Sequence, residues 1–141
     1  MKLKTGVLFL LAGTCMIIAA PVLGQGGKTI KEKKIVSQTV YEYFIEEGMD
    51  DPVVESIERY NENGDLIEVK EFNSKSEVKR WERFSYNSEG KLSEEVFLDA
   101  KGKVERTEKT IYKDGLRAEK QFFNNKDKLT KRKVYEYEYR K

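Results

Sequence analysis

The chain has 141 residues, 38% apolar and 37% charged, with 27 Lys and Arg against 25 Asp and Glu. It contains no His and one cysteine, Cys15. Those absences exclude Ser-His-Asp and Cys-His nucleophilic sites and most zinc or copper ligand sets, and the near-balanced charge gives no basic footprint for nucleic acid.

Residues 1–24 read as a secretory signal peptide. Lys2 and Lys4 precede an apolar run from Val7 to Leu23, and Val22-Leu23-Gly24 offers a cleavage site before Gln25. Two rival readings stay open. Leu11-Ala12-Gly13-Thr14-Cys15 resembles a lipoprotein box, although Thr14 suits it poorly. An uncleaved anchor is the other, because the run approaches the ~20 residues that span a bilayer. Cleavage takes the 27 bases to 25, equal to the 25 acids, over 117 residues (141 less 24). Apolar residues then make up about a third of the chain, which predicts one small domain with a thin core. Cys15 leaves with the leader, so the exported chain is expected to carry no disulfide.

Residues 25–34, QGGKTIKEKK, read as a flexible arm. A first strand is expected over Ile35 to Ile45, followed by a loop from Glu46 to Pro52. Glu46, Glu47, Asp50 and Asp51 in that loop fit no calcium-loop spacing and read as a solvated acidic turn. Val53 to Tyr60 is the second strand.

From Tyr60 onward one short unit recurs: an aromatic or Leu, Asn or Asp, two variable residues, Gly or a substitute, any residue, then Leu or Val. It occurs at Tyr60-Asn61…Gly64…Leu66, Phe72-Asn73…Ser76…Val78, Tyr86-Asn87…Gly90…Leu92, Leu98-Asp99…Gly102…Val104 and Phe123-Asn124…Asp127…Leu129. A shortened copy runs from Tyr112 through Asp114-Gly115 to Leu116. Tyr60, Tyr86 and Tyr112 repeat every 26 residues. Each unit reads as a hairpin turn, with the Asn or Asp side chain accepting backbone N–H groups and Gly supplying positive φ.

Strands are therefore expected near 66–72, 78–86, 92–98, 104–112, 116–123 and 129–139. The fold expected is all-β: an antiparallel meander of about eight strands, largely a single-layer twisted sheet or an open half-shell. Within each strand the end residues share a parity, as Leu66 and Phe72 do, with charges between. That pattern lacks the clean alternation of a sheet with one dry face and suits charged stems lying over aromatics.

The aromatic rows are the candidate ligand-binding surface. Same-end tyrosines on alternate strands would stand about 10 Å apart. Tyr60, Tyr86 and Tyr112 form one such row, with Trp81, Tyr135 and Tyr137 as further surface for a glycan or an extended peptide. The structural alternative packs each tyrosine over its own hairpin onto the following Leu. Neither a cofactor nor a metal is implied. Paired carboxylates of a glycosidase would need a deep cleft, which a thin sheet supplies poorly.

The units YNSEGKL at 86–92 and LDAKGKV at 98–104 resemble the YD repeats of RHS-type proteins, especially short exported bacterial YD-like proteins. The resemblance covers about residues 57–139 and makes 35–141 a YD-like β-repeat domain. It implies strands that wind into a shell or scaffold, sometimes around a toxin domain and sometimes described as sugar-binding. Asp follows the aromatic position only at Asp99, and six copies are too few to close a shell. MORN-type repeats are a second, weaker resemblance.

The expected function is a non-catalytic exported module, periplasmic, cell-surface or secreted, that binds or scaffolds a glycan or protein at the cell envelope. The alternatives are a structural spacer of a surface assembly or a small glycan-active enzyme. No nucleic-acid partner and no stable membrane insertion after cleavage are expected. Residues 42–62 carry eight acids and one base, and residues 126–141 seven bases and three acids. A meander sends these segments to opposite edges, which predicts a monomer at physiological salt with weak head-to-tail association at low salt. Mass spectrometry of envelope protein is expected to show an N-terminus near Gln25; a diacylated Cys15 would make the chain a lipoprotein instead.

Overall fold

The computed structural model describes residues 26–45 and 51–140. The leader, Cys15, Gln25 and residues 46–50 of the acidic loop lie outside the described residues.

Each hairpin begins with local turn chemistry. The Asn87 Oδ1 accepts the N–H groups of Glu89 and Lys91 at 3.0 and 2.9 Å. Gly90 N–H returns to the Asn87 carbonyl, and Asn87 N–H to that of Lys91. The same bonds recur at Asn61, Asn73, Asp99 and Asn124. The residue three after the Asn or Asp has positive φ every time: 82°, 74° and 80° at Gly64, Gly90 and Gly102, and 60° and 56° at Ser76 and Asp127. The last two lack the glycine that adopts this region without steric cost. In the short copy Asp114 and Gly115 are both positive, as a two-residue hairpin of the mirror-image type requires.

These turns join eight strands: β1 (Ser37–Glu42), β2 (Val53–Tyr60), β3 (Leu66–Phe72), β4 (Val78–Tyr86), β5 (Leu92–Leu98), β6 (Val104–Lys113), β7 (Leu116–Asn124) and β8 (Leu129–Val134). They form one antiparallel sheet in sequence order, an open meander as expected. The first and last strands are shorter than the sequence suggested, and β8 ends at Val134 rather than near 139.

Three residues past the positive-φ residue that ends each turn, the outgoing strand bulges. Tyr60 pairs with Leu66 but Arg59 with Glu68, which leaves Ile67 without a cross-strand partner. Lys79, Ser93, Glu105, Ala118 and Thr130 are skipped in the same way. At two of them a hydroxyl takes up a carbonyl of the facing strand, Ser93 to Ser85 and Thr130 to Phe122. Each bulge shifts alternation by one, so Leu66 and Phe72, of equal parity in sequence, lie on opposite faces. Tyr60, Leu66, Tyr86, Leu92 and Tyr112 follow one face, at the end holding turns 61–64, 87–90 and 113–115. Phe72, Val78, Leu98, Val104, Phe123 and Leu129 follow the other face at the other end.

Burial is accordingly thin. Among the described residues the buried apolar side chains are Ile30, Tyr60, Val69 and Leu98, and two acids, Glu58 and Glu82, are buried with them. Between the apolar ends each face is charged, with cations stacked on rings: Arg106 is 3.5 Å from the Phe97 centroid and Lys70 4.0 Å from that of Trp81. Such contacts contribute about 0.5–1 kcal/mol each at exposed sites, more where water is excluded.

The segment expected as a flexible arm instead carries a helix, α1 (Gly27–Glu32), with Ile30 only 1% exposed. Six residues including a glycine do not hold a helix alone. This one is pinned to the first turn, where a Cβ on Gly64 would collide with the Gly27 carbonyl oxygen. The chain leaves it through Ile35 N–H to the Ile30 carbonyl, then Tyr60 N–H to that of Val36.

Chemical denaturation can rank these turns. Gly90→Val is expected to cost more than about 1 kcal/mol from backbone strain, while Ser88→Val at an open turn position costs little. Ser76→Gly is expected to stabilise by about 0.5–1 kcal/mol, because it relieves a positive φ. Gly64→Ala should cost more than Gly90→Ala, which meets no neighbour within 4 Å.

Candidate binding surface

The tyrosine row is assembled as the 26-residue period implies, but its hydroxyls are committed. Tyr86 donates to the Leu66 carbonyl at 2.8 Å, Tyr112 to that of Leu92 at 2.9 Å, and Tyr137 to that of Arg117 at 2.8 Å. Each acceptor lies 20 residues earlier, beside a bulge where the ladder is interrupted. The hydroxyl therefore supplies a partner that the broken ladder does not. Tyr60 departs from the series and donates to the buried Glu58 carboxylate. Burial first, then that bond and the carboxylate charge, push its phenol well above the ordinary value.

Ring placement combines both sequence readings. Tyr60 and Tyr86 stand opposite the following Leu66 and Leu92, yet hydroxyls of the series reach back to the preceding strand. In the short copy the register places Arg117, not Leu116, opposite Tyr112; Leu116 faces Lys113 and is exposed. Lys91 spans neighbouring turns at this end, donating to the Gly115 carbonyl with its ammonium 5.5 Å from the Tyr112 ring centroid.

Trp81 does not join that row. It pairs with Lys70 and lies on the opposite face, its six-membered ring against the Gly102 turn. Its Nε1–H donates to Glu68 Oε1 at 2.7 Å, and Arg83 Nε donates to the same oxygen at 3.1 Å. Arg59 stands 3.6 Å away on the other flank. Burial pulls the Glu68 carboxyl upward, but the Trp81 and Arg83 bonds and the two guanidinium charges outweigh it and hold the group below the ordinary range. Tyr135 is half-buried beyond β8, its N–H on the Ala118 carbonyl, and Tyr137 is exposed. The six predicted residues are thus divided between two faces and a C-terminal edge.

The middle of the tyrosine face carries an acidic row, Glu82, Glu95 and Glu108, across β4, β5 and β6. Arg80 bridges Glu71 and Glu82 at 2.9 and 2.6 Å, and Lys120 meets Glu108 at 2.6 Å. Glu95 has no such bridge among the described residues. Burial, then the charges of Glu82 and Glu108, raise its carboxyl above the ordinary range against the weaker pull of Lys120 and Arg106. Sequence reasoning missed an apolar groove at the β1 edge, lined by Ile30, Ile35, Val36 and Tyr60 with Lys31 and Lys34. Its only trace in the sequence was Ile30 inside a run of lysines.

The fold and surfaces define an open, single-sheet β-repeat protein. No family model matches the chain, and no curated protein matches it in sequence.

Glu68 and Glu95 respond oppositely to pH. A raised folded value means that folding favours the proton, so the Glu95 share of stability is present below about 4.3 and lost as pH rises through the raised value. The Glu68 share is present above about 4.3 and lost as pH falls through its lowered value. At neutral pH Glu95→Gln is expected to raise the urea midpoint, and Glu68→Gln to cost about 1–2 kcal/mol from its charged hydrogen bonds.

Proposed function

We propose that the chain is a non-catalytic, exported β-repeat module that binds or scaffolds a partner at the cell envelope. A glycan or an envelope protein is the partner class that fits. One observation carries this reading: the sheet uses its apolar side chains in short aromatic–aliphatic pairs on both faces, leaving faces and edges open to a large partner. Ring faces flanked by cations, such as Tyr112 beside Lys91 and Trp81 beside Lys70, suit sugar rings or extended peptides. The YD-like spacing agrees with such a scaffold.

A structural spacer is the second reading, supported by the tyrosine hydroxyls being spent inside the sheet. A pull-down on isolated peptidoglycan and envelope glycans separates the two. Retention by a glycan, weakened about tenfold by Trp81→Ala or Tyr112→Ala while the sheet stays folded by circular dichroism, is the expected outcome; stacked rings contribute on the order of 1.4 kcal/mol to such contacts. Retention by none of the polymers or envelope proteins would leave the spacer.

A further inference from the structure

An open meander leaves two edges, and among the described residues these are β1 and β8, with no further strand paired to either. Inside the sheet, hairpins at the tyrosine end set an aromatic against an aliphatic that opens the next strand, as Tyr86 against Leu92. The two edges hold the separate halves of that pair. Val36 precedes β1, accepts the Tyr60 N–H and is 75% exposed. Tyr137 follows β8, the edge strand of the described sheet, and holds the Arg117 carbonyl as Tyr86 and Tyr112 hold theirs. Beside Val36 lies the apolar groove along α1; beside Tyr137 lies Tyr139, 77% exposed.

Charge runs in step with this. From α1 through β1 toward β2 the order is cations first, Lys31, Lys33 and Lys34, then acids, Glu42 at the end of β1 and Asp51 before β2. Along β8 it is again cations first, Lys126, Lys128, Lys131 and Lys133, then Glu136 and Glu138. Antiparallel addition of one edge to the other therefore brings Lys126 and Lys128 toward Glu42 and Asp51, and Glu136 and Glu138 toward the α1 lysines. Two β8 edges meeting antiparallel would attract at their ends but set Lys131, Arg132 and Lys133 of one copy against the same three cations of the other along the paired strands, which disfavours that pairing. Two β1 edges would attract, but such a pair closes as a dimer and leaves Tyr137 and the β8 edge unpaired.

We infer that β8 of one copy adds to β1 of the next copy of this chain, continuing the meander across the junction with Tyr137 and Tyr139 against the α1 groove. The contact is heterologous, so it propagates as a chain of copies rather than closing. Exposed charges orient it, so it is weak and salt-sensitive, and dilute protein at physiological salt is monomeric. The junction depends on the two edges alone, with or without an envelope partner.

Sedimentation velocity on protein purified in its exported form tests this separately from any glycan pull-down. At about 20 mM salt a concentration-dependent ladder of dimers, trimers and longer species is expected, dissolving by about 150 mM as screening shortens. Glu136→Lys with Glu138→Lys in one variant, and Lys31→Glu with Lys34→Glu in another, should each weaken self-association about tenfold. Mixing the two variants restores opposite charges at every junction and should restore the ladder, which also shows that both are folded. Association that stops at a dimer, that neither variant weakens, or that mixing fails to restore would overturn the junction. So would the absence of any association at low salt.

Discussion

Five hairpins of this sheet depend on one interaction, a side-chain oxygen accepting two backbone N–H groups at once. The Asn or Asp of each full-length unit ties the N–H groups two and four residues on, which shapes the turn before any long-range contact forms. The constraint is strong enough to hold Ser76 and Asp127 in a region that L-residues disfavour. Because every participating atom lies within a five-residue window, the loop entropy of closing each hairpin is small. The sheet is then a sum of local closures, each pairing with the one before.

The bulge that follows each turn converts this repetition into a two-sided surface. Without it, the apolar residues at both ends of a strand would share a face. With it, each turn sends its aromatic–aliphatic pair to the face opposite that of the neighbouring turn. The bulge interrupts the ladder, and the tyrosine one period later supplies a hydroxyl to a carbonyl beside the gap. Turn, bulge and latch are a single unit spread over 26 residues.

The sheet lacks a dry interior, so charged side chains do work that a core would do elsewhere. Glu68 gathers an indole and two guanidinium groups on one face, while Arg80 and Lys120 bridge acids on the other. Long stems cover the rings and keep their charged heads wet. Such a layer is stable without being sealed. Its faces and edges stay available to partners, which is the property that the envelope-module reading and the edge-to-edge junction both use.

The positions of the turns, the strands between them and the sequential antiparallel order were legible in the sequence, because each depends on chemistry within a few residues. The positive φ at Gly64, Gly90, Gly102 and Gly115 belongs to the same class. Which face each side chain occupies was not legible, because a bulge is defined by what the neighbouring strand pairs with. Leu66 and Phe72 thus read as one face by parity and lie on opposite faces, because Ile67 is skipped. The back-reaching hydroxyl was implicit in the spacing, since the 26-residue period less the six residues of the unit is 20, but only strand adjacency gives that interval meaning. Helix α1 was beyond local reading altogether. Its propensity is poor, and the burial of Ile30 against a turn more than 30 residues away is a tertiary contact that no local signal encodes.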